Sequence, residues 1–172
     1  MPTPRPRVRP GRFTAHLDQD EIVVFLIGMR INHPLRPRGW WPAFSAMPRM
    51  IRELEGRRDS GLLGVESWFG RTILMVQYWQ SFDQLDAFAR DPERSHLPAW
   101  RDFNRRVAAT GEVGIWHETY VVPAARVEAI HANMPPFGLL KATSATEATG
   151  SRRTALTRLG MPDDQAPDVS GY

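Results

Sequence analysis

The sequence predicts an α+β fold in which two helices cover one face of a four-stranded antiparallel sheet. Four apolar segments have strand length, two stretches have helical spacing, and together they follow the order β-α-β-β-α-β of a ferredoxin-like unit. The 172 residues suffice for one domain with a hydrophobic core. We expect an N-terminal arm over residues 1–20, the ferredoxin-like domain over 21–141, and a flexible C-terminal tail over 142–172.

The first half of the chain supplies one strand, one helix and a hairpin. The segment EIVVFLIGMRIN (21–32) is almost continuously apolar, which is typical of a strand covered on both faces. Two prolines and a glycine in HPLRPRG interrupt it, and residues 40–58 then show helical spacing. Two strand-like runs at 62–69 and 72–79 are joined at Gly70-Arg71, which suits a tight hairpin turn.

The second half predicts a helix and the last strand. Ser81 is an expected N-cap, with Gln84 completing a capping box, and the helix resumes over 99–110 after an interruption between Pro92 and Pro98. Gly111 ends that helix, and GEVGIWHETYVV (111–122) forms the final strand. Residues 124–140 begin with a helix-like pattern and continue into a proline-rich piece suited to an ordered flap.

Composition excludes several classes of function. The absence of cysteine removes thiolate catalysis, disulfides and iron-sulfur clusters. The net charge of +3 comes from arginines in loops and at both ends, so a nucleic-acid-binding stripe is not indicated. No apolar run approaches the roughly 20 residues of a membrane span, and no secretory signal is visible, which predicts a cytoplasmic protein without a membrane partner. Motifs for nucleotide or nicotinamide cofactors are missing.

The first strand is apolar on both sides. Phe25, Ile27 and Met29 alternate with Val24 and Leu26, so one apolar set remains after the helices have covered the other. Packing of two copies sheet to sheet would bury the second set. The sequence therefore predicts a homodimer.

The last strand carries titratable residues where apolar ones are expected, and Trp116, His117, Glu118 and Tyr120 are the candidate catalytic residues. His117 shares a face with Ile115, Thr119 and Val121, whereas the three neighbours Trp116, Glu118 and Tyr120 point the other way. His117 and Glu118 therefore cannot form a side-by-side dyad. One can serve a pocket while the other serves assembly, and the strand register decides which. A hydrogen-bonded strand histidine and an interface ion pair explain the same residues without catalysis.

Other candidates lie at the edges of the expected helix-sheet cleft. His96, in RSHLPAW, lies at the break between the two parts of the second helix, where an imidazole could ligate haem iron or simply cap a helix at the surface. Trp40, Phe44 and Trp100 could line a cleft for a flat apolar ligand, although aromatic residues at such spacing also form plain core. Asn32 ends the first strand, where it could meet a polar substrate group.

Three separated segments resemble a known group of proteins. SFDQLDAFARDPERSHLPAWRDFNRR, GIWHETYVV and NMPPFGLLKA occur in the order found in a family of monooxygenase-like domains from bacteria and fungi, one of which belongs to fumagillin biosynthesis. The resemblance covers about residues 12–142. It extends more loosely to the dimeric α/β-barrel superfamily, which includes cofactor-free monooxygenases of antibiotic biosynthesis, haem-degrading monooxygenases, chlorite dismutases and aldoxime dehydratases.

The resemblance implies a monooxygenase-like oxidoreductase of secondary metabolism, acting on a small apolar or aromatic substrate between helices and sheet. In cofactor-free members nearby His, Trp, Asn or Tyr residues serve the reaction, so His117 and Tyr120 are the corresponding candidates here. In haem-binding members a histidine of the second helix ligates iron, and His96 matches it, which would extend the reaction to aldoxime dehydration or haem breakdown. The cofactor is thus either none or haem. A non-enzymatic small-molecule binding protein remains the rival from another class.

Overall fold

The computed structural model describes residues 6–38, 40–42, 44–45, 60–91 and 111–163. The chain divides into two compact units, Val23–Val121 and a second unit made of residues 1–22 with 122–172. The predicted helices over 40–58 and 99–110 lie mainly outside the described residues, although residues 37–38, 40–42 and 44–45 are helical.

The described residues contain the following strands and helices. The strands are β1 (Arg9–His16), β2 (Glu21–Ile31), β3 (Leu62–Trp68), β4 (Thr72–Trp79), β5 (Val113–Pro123), β6 (His131–Met134) and β7 (Ser144–Glu147). The α-helices are α1 (Phe82–Arg90), α2 (Leu139–Ala142) and α3 (Ala155–Arg158), and short 3₁₀ turns cover Ala124–Arg126 and Gly150–Arg152. Across this part of the chain, no helix has both the length and the apolar character needed to span a bilayer.

The main sheet has the strand order β3-β4-β2-β5. β2 and β4 pair antiparallel in unbroken register from Val23↔Trp79 to Arg30↔Thr72, and β3 pairs antiparallel with β4. This order is that of a ferredoxin-like sheet, in which the first and third of the four strands, here β2 and β4, lie at the centre. The predicted α+β class and four-stranded antiparallel sheet are therefore confirmed.

Alternate residues of the central strands face the helices, and this helix-side face carries two hydrophobic clusters. The α1 cluster is built around the buried residues Val23, Trp79 and Leu85, joined by Phe25, Leu62 and Phe88. The Trp40 cluster is built around the buried residues Met29, Ile73 and Val113, joined by Ile31, Trp40, Phe44 and Ile115. Burial of these side chains is the main favourable contribution to folding of this unit. The two clusters anchor different helices at opposite ends of the same face.

Helix α1 begins at the N-cap that its sequence predicts, but the Gln84 side chain, expected to complete a capping box, donates to Gln80. The Ser81 hydroxyl accepts a hydrogen bond from the Gln84 backbone N–H at 3.3 Å, so Ser81 is the N-cap. The Gln84 side-chain amide donates to Gln80 Oε1 at 3.4 Å. Gln84 also lies directly over Gly61, where an added Cβ would come within 2.7 Å of Gln84 Cβ. Gly61 has a φ of +77°, so both space and backbone conformation favour glycine there.

The two ends of the chain differ from the expectation of an arm and a flexible tail. β1 is the middle strand of a second sheet with the order β6-β1-β7, and it pairs with β7 from Phe13↔Glu147 to His16↔Ser144. The helix-like pattern over 124–140 is likewise interrupted by strand β6. Short strands with few apolar residues have weak sequence patterns, and their partners here are more than 100 residues away in the chain.

Arg158 makes several of the contacts that hold the segment around helix α3. The Arg158 guanidinium forms an ion pair with Glu128 and also donates to the backbone carbonyls of Arg152 and Arg153, each at 2.9 Å. The side chain of Arg158 is buried by these contacts. Helix α3 is thus part of the second unit, although it falls within the stretch 142–172 that was expected to be a flexible tail.

We predict that Gly28→Ala destabilises the protein. An added Cβ at Gly28 would lie 2.6 Å from Trp116 Cε2 and 2.9 Å from the Ile73 carbonyl oxygen, and the backbone atom cannot move aside easily. We expect a loss of about 1–3 kcal/mol in the free energy of unfolding, measured by urea denaturation. Gly114→Ala is the matched control, since its nearest atom, Asn32 Nδ2, is 3.7 Å away. Equal stability of the two variants would contradict the prediction.

Candidate functional site

Strand β5 places His117 on the helix-side face of the main sheet. Its imidazole lies against the Phe25 ring, with 5.8 Å between ring centroids and an interplanar angle of 44°. Phe25 belongs to the α1 cluster on that face. Along the same face of β5, burial decreases from Val113 through Ile115 to the exposed His117. The imidazole therefore stands at the open end of an apolar row.

Trp116 lies on the opposite face of the sheet. Its indole covers the Cα of Gly28, because a Cβ built on Gly28 would point directly into the ring. Gly28 neighbours Met29, whose side chain faces the helices, so successive residues of β2 confirm that the indole is on the other side. Glu118 and Tyr120 follow Trp116 at intervals of two and share its face.

Glu118 and Tyr120 interact directly. The Tyr120 hydroxyl donates a hydrogen bond to Glu118 Oε2 at 2.5 Å, and both side chains are exposed. The hydrogen bond to Glu118, together with the negative charge of that carboxylate, raises the pKa of the Tyr120 phenol above its ordinary value. A phenol held neutral in this way is a hydrogen-bond donor and a poor general base.

The four residues predicted as catalytic are therefore divided between two faces. His117 stands on the helix-side face, whereas Trp116, Glu118 and Tyr120 stand together on the other. The sequence predicted that His117 and Glu118 point apart, and the contact with Phe25 assigns the helix side to His117. A reaction on the helix-side face can use the imidazole without the Glu118–Tyr120 pair.

Asn32 has a structural contact at the end of β2. Its side-chain Nδ2 donates to the Gly111 carbonyl at 2.9 Å, and its backbone N–H donates to the Glu112 carbonyl at 2.9 Å. Nearby, Arg36 pairs with Glu112 at 3.8 Å. These bonds join the end of β2 to the residues that precede β5. Asn32 therefore helps to position the start of β5.

Trp40 and Phe44 form an aromatic wall at the other end of the helix-side face. Both pack on the Trp40 cluster, with their ring centroids 6.0 Å apart in an edge-to-face arrangement. The Trp40 indole N–H donates to the Pro34 carbonyl at 3.2 Å, which fixes the ring relative to the end of β2. Their position agrees with either use predicted from sequence, as core or as cleft lining.

His96 and Trp100 lie outside the described residues, so the proposed haem ligand and the third aromatic lining residue stay predictions. Within the described ranges, no group of three or more His, Asp or Glu side chains has a geometry that could hold a metal ion. The helix-side residues that can be placed are thus mostly apolar and aromatic, and they include the His117 imidazole and a buried polar side chain that the sequence analysis missed.

That missed residue is Gln77. It stands opposite Phe25 in the β2–β4 register and is buried, with an exposed fraction of 6%. Its Oε1 accepts a hydrogen bond from the fully buried Trp79 indole N–H at 2.9 Å. The available signal was a glutamine at an inward position in the apolar run TILMVQYW. Burying an amide costs free energy unless it is hydrogen-bonded, so a glutamine at an inward position predicts a specific partner.

Comparisons with known proteins place the chain among monooxygenase-like domains. The family described as monooxygenase af470-like matches residues 22–139. Monooxygenase af470 of Aspergillus fumigatus is 30% identical over 127 residues, covering 67% of this chain and 44% of that protein. The chain thus spans less than half the length of this curated relative.

Solved structures that superpose on this chain include two enzymes. An aldoxime dehydratase crystallised with butyraldoxime superposes with a TM-score of 0.59 at 18% identity, covering 78% of this chain and 42% of that one. A cofactor-independent oxygenase from Streptomyces nogalater superposes with a TM-score of 0.42 at 12% identity, covering 58% of this chain and 91% of that one. The first similarity supports the fold described above and does not define a reaction.

We predict that Glu118→Gln lowers the pKa of Tyr120. The substitution removes the negative charge that opposes deprotonation of the phenol, so Tyr120 should ionise at lower pH than in the wild-type protein. The measurement is a pH titration of tyrosine Cζ chemical shifts by NMR. Tyr78 is the internal control, because burial is the main reason for its raised pKa and Glu66 is the charge that acts on it. An unchanged Tyr120 titration would show that the pair is not formed in solution.

Proposed function

Because the chain belongs to the monooxygenase af470-like family, we propose that it is a monooxygenase-type oxidoreductase for a small apolar or aromatic substrate. The substrate would bind on the helix-side face of the main sheet. The observation that carries this proposal is the position of His117, an exposed imidazole packed against Phe25 at the end of an apolar row. On that face the Phe25 ring offers a substrate ring a flat surface, and the His117 imidazole beside it offers a proton acceptor.

The surroundings of His117 suit an apolar ring. Phe25 is half-buried, so part of its ring is available for packing, and aromatic rings favour offset or edge-to-face contact with one another. Ile27, two residues after Phe25 on β2, pairs with Met75 on β4 and belongs to neither hydrophobic cluster. A substrate placed over this row would extend the apolar surface between the α1 cluster and the Trp40 cluster. Trp40 and Phe44 would then form the far wall of the site.

The imidazole supplies the proton transfer that oxygenation needs. Neutral His117 would accept a proton from an acidic C–H of the substrate, leaving a carbanion stabilised by its aromatic system. Dioxygen takes electrons from that carbanion and bonds to the same carbon. One oxygen atom remains as a carbonyl and the other leaves as water, so CH₂ and O₂ become C=O and H₂O. The substrate itself provides all the electrons, and no external reductant is required.

We propose the cofactor-free form of this chemistry, and the contact of His117 with Phe25 on the helix-side face supports it. Haem binding through His96 remains an expectation from the sequence resemblance. Trp116, Glu118 and Tyr120, on the opposite face, are assigned to assembly in this proposal. Asn32 is assigned mainly to holding the start of β5, through its bond to Gly111.

A homodimer is proposed for the opposite face of the sheet. Val24 and Leu26 on β2, with Leu74 and Val76 on β4, form a contiguous apolar set there through the pairs Val24↔Tyr78, Leu26↔Val76 and Gly28↔Leu74. All four are only partly buried in the single chain. Packing of a second copy against this set would remove their remaining apolar surface from water.

We predict that His117→Ala strongly slows oxygen uptake. With 2-tetralone as the probe, an aromatic ketone with acidic C–H bonds, the wild-type protein should consume oxygen, and the variant should be slower by about 100-fold or more because the proton acceptor is lost. The measurement is oxygen-electrode kinetics with product analysis. Glu118→Gln is the matched control on the opposite face and should keep its rate. Binding of unchanged 2-tetralone without oxygen uptake would support a non-enzymatic binding protein.

The visible spectrum separates the two cofactor alternatives in the same preparations. The cofactor-free form predicts activity without a Soret band, before and after addition of hemin. Activity that requires hemin, with a Soret band that is lost in His96→Ala and kept in His117→Ala, would contradict the cofactor-free form. The same result would support haem ligation by His96.

We also predict that Leu26→Glu converts the dimer into a monomer. A carboxylate in the centre of the apolar set would be desolvated without a partner when two copies pack together. The measurement is the molar mass by light scattering coupled to size-exclusion chromatography, with circular dichroism to verify folding. Val121→Glu, an exposed position on β5, is the control and should remain dimeric. A monomeric wild-type protein would contradict the proposed assembly.

A further inference from the structure

The helix-side face has one row in which every strand of the main sheet contributes a residue. Val65 on β3 pairs with Gln77 on β4, Gln77 pairs with Phe25 on β2, and the Phe25 ring contacts His117 on β5. Residues directly opposite one another in antiparallel strands place their side chains on the same face. The row therefore presents an amide, an aromatic ring and an imidazole in sequence across the sheet.

The orientation of the Gln77 amide is determined by its neighbour. An indole N–H can only donate, so the atom that accepts from Trp79 Nε1 must be the oxygen of the Gln77 amide. The indole accounts for Oε1 and for neither hydrogen on Nε2. Those hydrogens are the part of Gln77 that can donate to a further group.

We infer that Gln77 is a substrate-binding residue whose Nε2–H group holds a carbonyl oxygen of an aromatic substrate that packs on Phe25 opposite His117. Two strand spacings separate the backbones of Gln77 and His117 by about 10 Å, a span that one ring with a hydrogen bond at each side can fill. The substrate class is thus an aromatic carbonyl compound. This inference rests on the proposed function for the role of His117.

The hydrogen bond also has a consequence for the chemistry. When His117 removes a proton next to a carbonyl group, negative charge moves onto the carbonyl oxygen, and a donor already in place stabilises that charge. Anchoring by Trp79 keeps the donor oriented before the substrate arrives. A binding site that hydrogen-bonds a substrate oxygen also rejects analogues that lack it, because the donor is then left unpaired.

The test compares binding of 2-tetralone with binding of tetralin, which has the same bicyclic skeleton without the carbonyl group. Both dissociation constants are measured without oxygen by isothermal titration calorimetry, so the result does not depend on turnover. We expect the preference for the ketone to fall by about tenfold in Gln77→Met, with tetralin binding little changed. Gln80→Met is the matched control, since Gln80 is an exposed glutamine just after β4, and it should keep the wild-type preference.

A second variant covers loss of folding. Gln77→Met leaves the Trp79 indole N–H without its acceptor, so Gln77→Glu is made in parallel, because its carboxylate can still accept from the indole but when ionised cannot donate to a ketone. Its ketone preference at pH 8 should also be lost, with circular dichroism verifying the fold. An unchanged preference in either folded variant, or a wild-type protein that binds neither compound, would overturn the inference.

Failure of the oxygenase proposal has a different signature. A wild-type protein that prefers the ketone through Gln77 but consumes no oxygen would leave the binding role of Gln77 intact and remove the proposed reaction. A protein that consumes oxygen with 2-tetralone and has an unchanged KM in Gln77→Met would retain the reaction and remove the role of Gln77.

Discussion

The pairing of β2 with β4 is the constraint on which the rest of the main sheet depends. Eight consecutive residue pairs, from Val23↔Trp79 to Arg30↔Thr72, fix which side chains face the helices. A shift of one residue would send Val23, Phe25 and Met29 to the other face and expose both hydrophobic clusters. Because that shift would cost free energy, only one register is stable. The positions of Gln77 and of the Phe25 ring beside His117 follow from this register.

Strand β5 shows how a sheet separates two sets of polar residues that are adjacent in sequence. His117 and Glu118 differ by one position, yet one lies against Phe25 and the other bonds to Tyr120 on the opposite side of the sheet. The backbone between them is a physical barrier. The same strand can therefore supply a proton acceptor to a substrate on one face and polar groups for a partner copy on the other.

The sequence predicted the main sheet well because its strands are long and apolar. The predicted strands 62–69 and 72–79 correspond to Leu62–Trp68 and Thr72–Trp79, and the Ser81 N-cap has the expected bond. The second sheet was missed, since β6 and β7 have only four residues each and their pairing with β1 involves distant parts of the chain. In the candidate site, alternation separated His117 from Glu118, but only the contact with Phe25 could assign a face. Gln77 was visible as a glutamine in an apolar run, but its position opposite Phe25 required the cross-strand register, which no local pattern contains.

The close approach of Trp116 to Gly28 has an evolutionary consequence. A side chain at position 28 would meet both the indole and the Ile73 carbonyl oxygen, so replacing Trp116 by a smaller residue would relieve only one of the two conflicts. Position 116 can change while position 28 stays glycine, whereas a side chain at position 28 meets the Ile73 carbonyl oxygen with or without the tryptophan. Mutational paths through this pair therefore run in one direction, and glycine should persist in descendants that have lost the tryptophan.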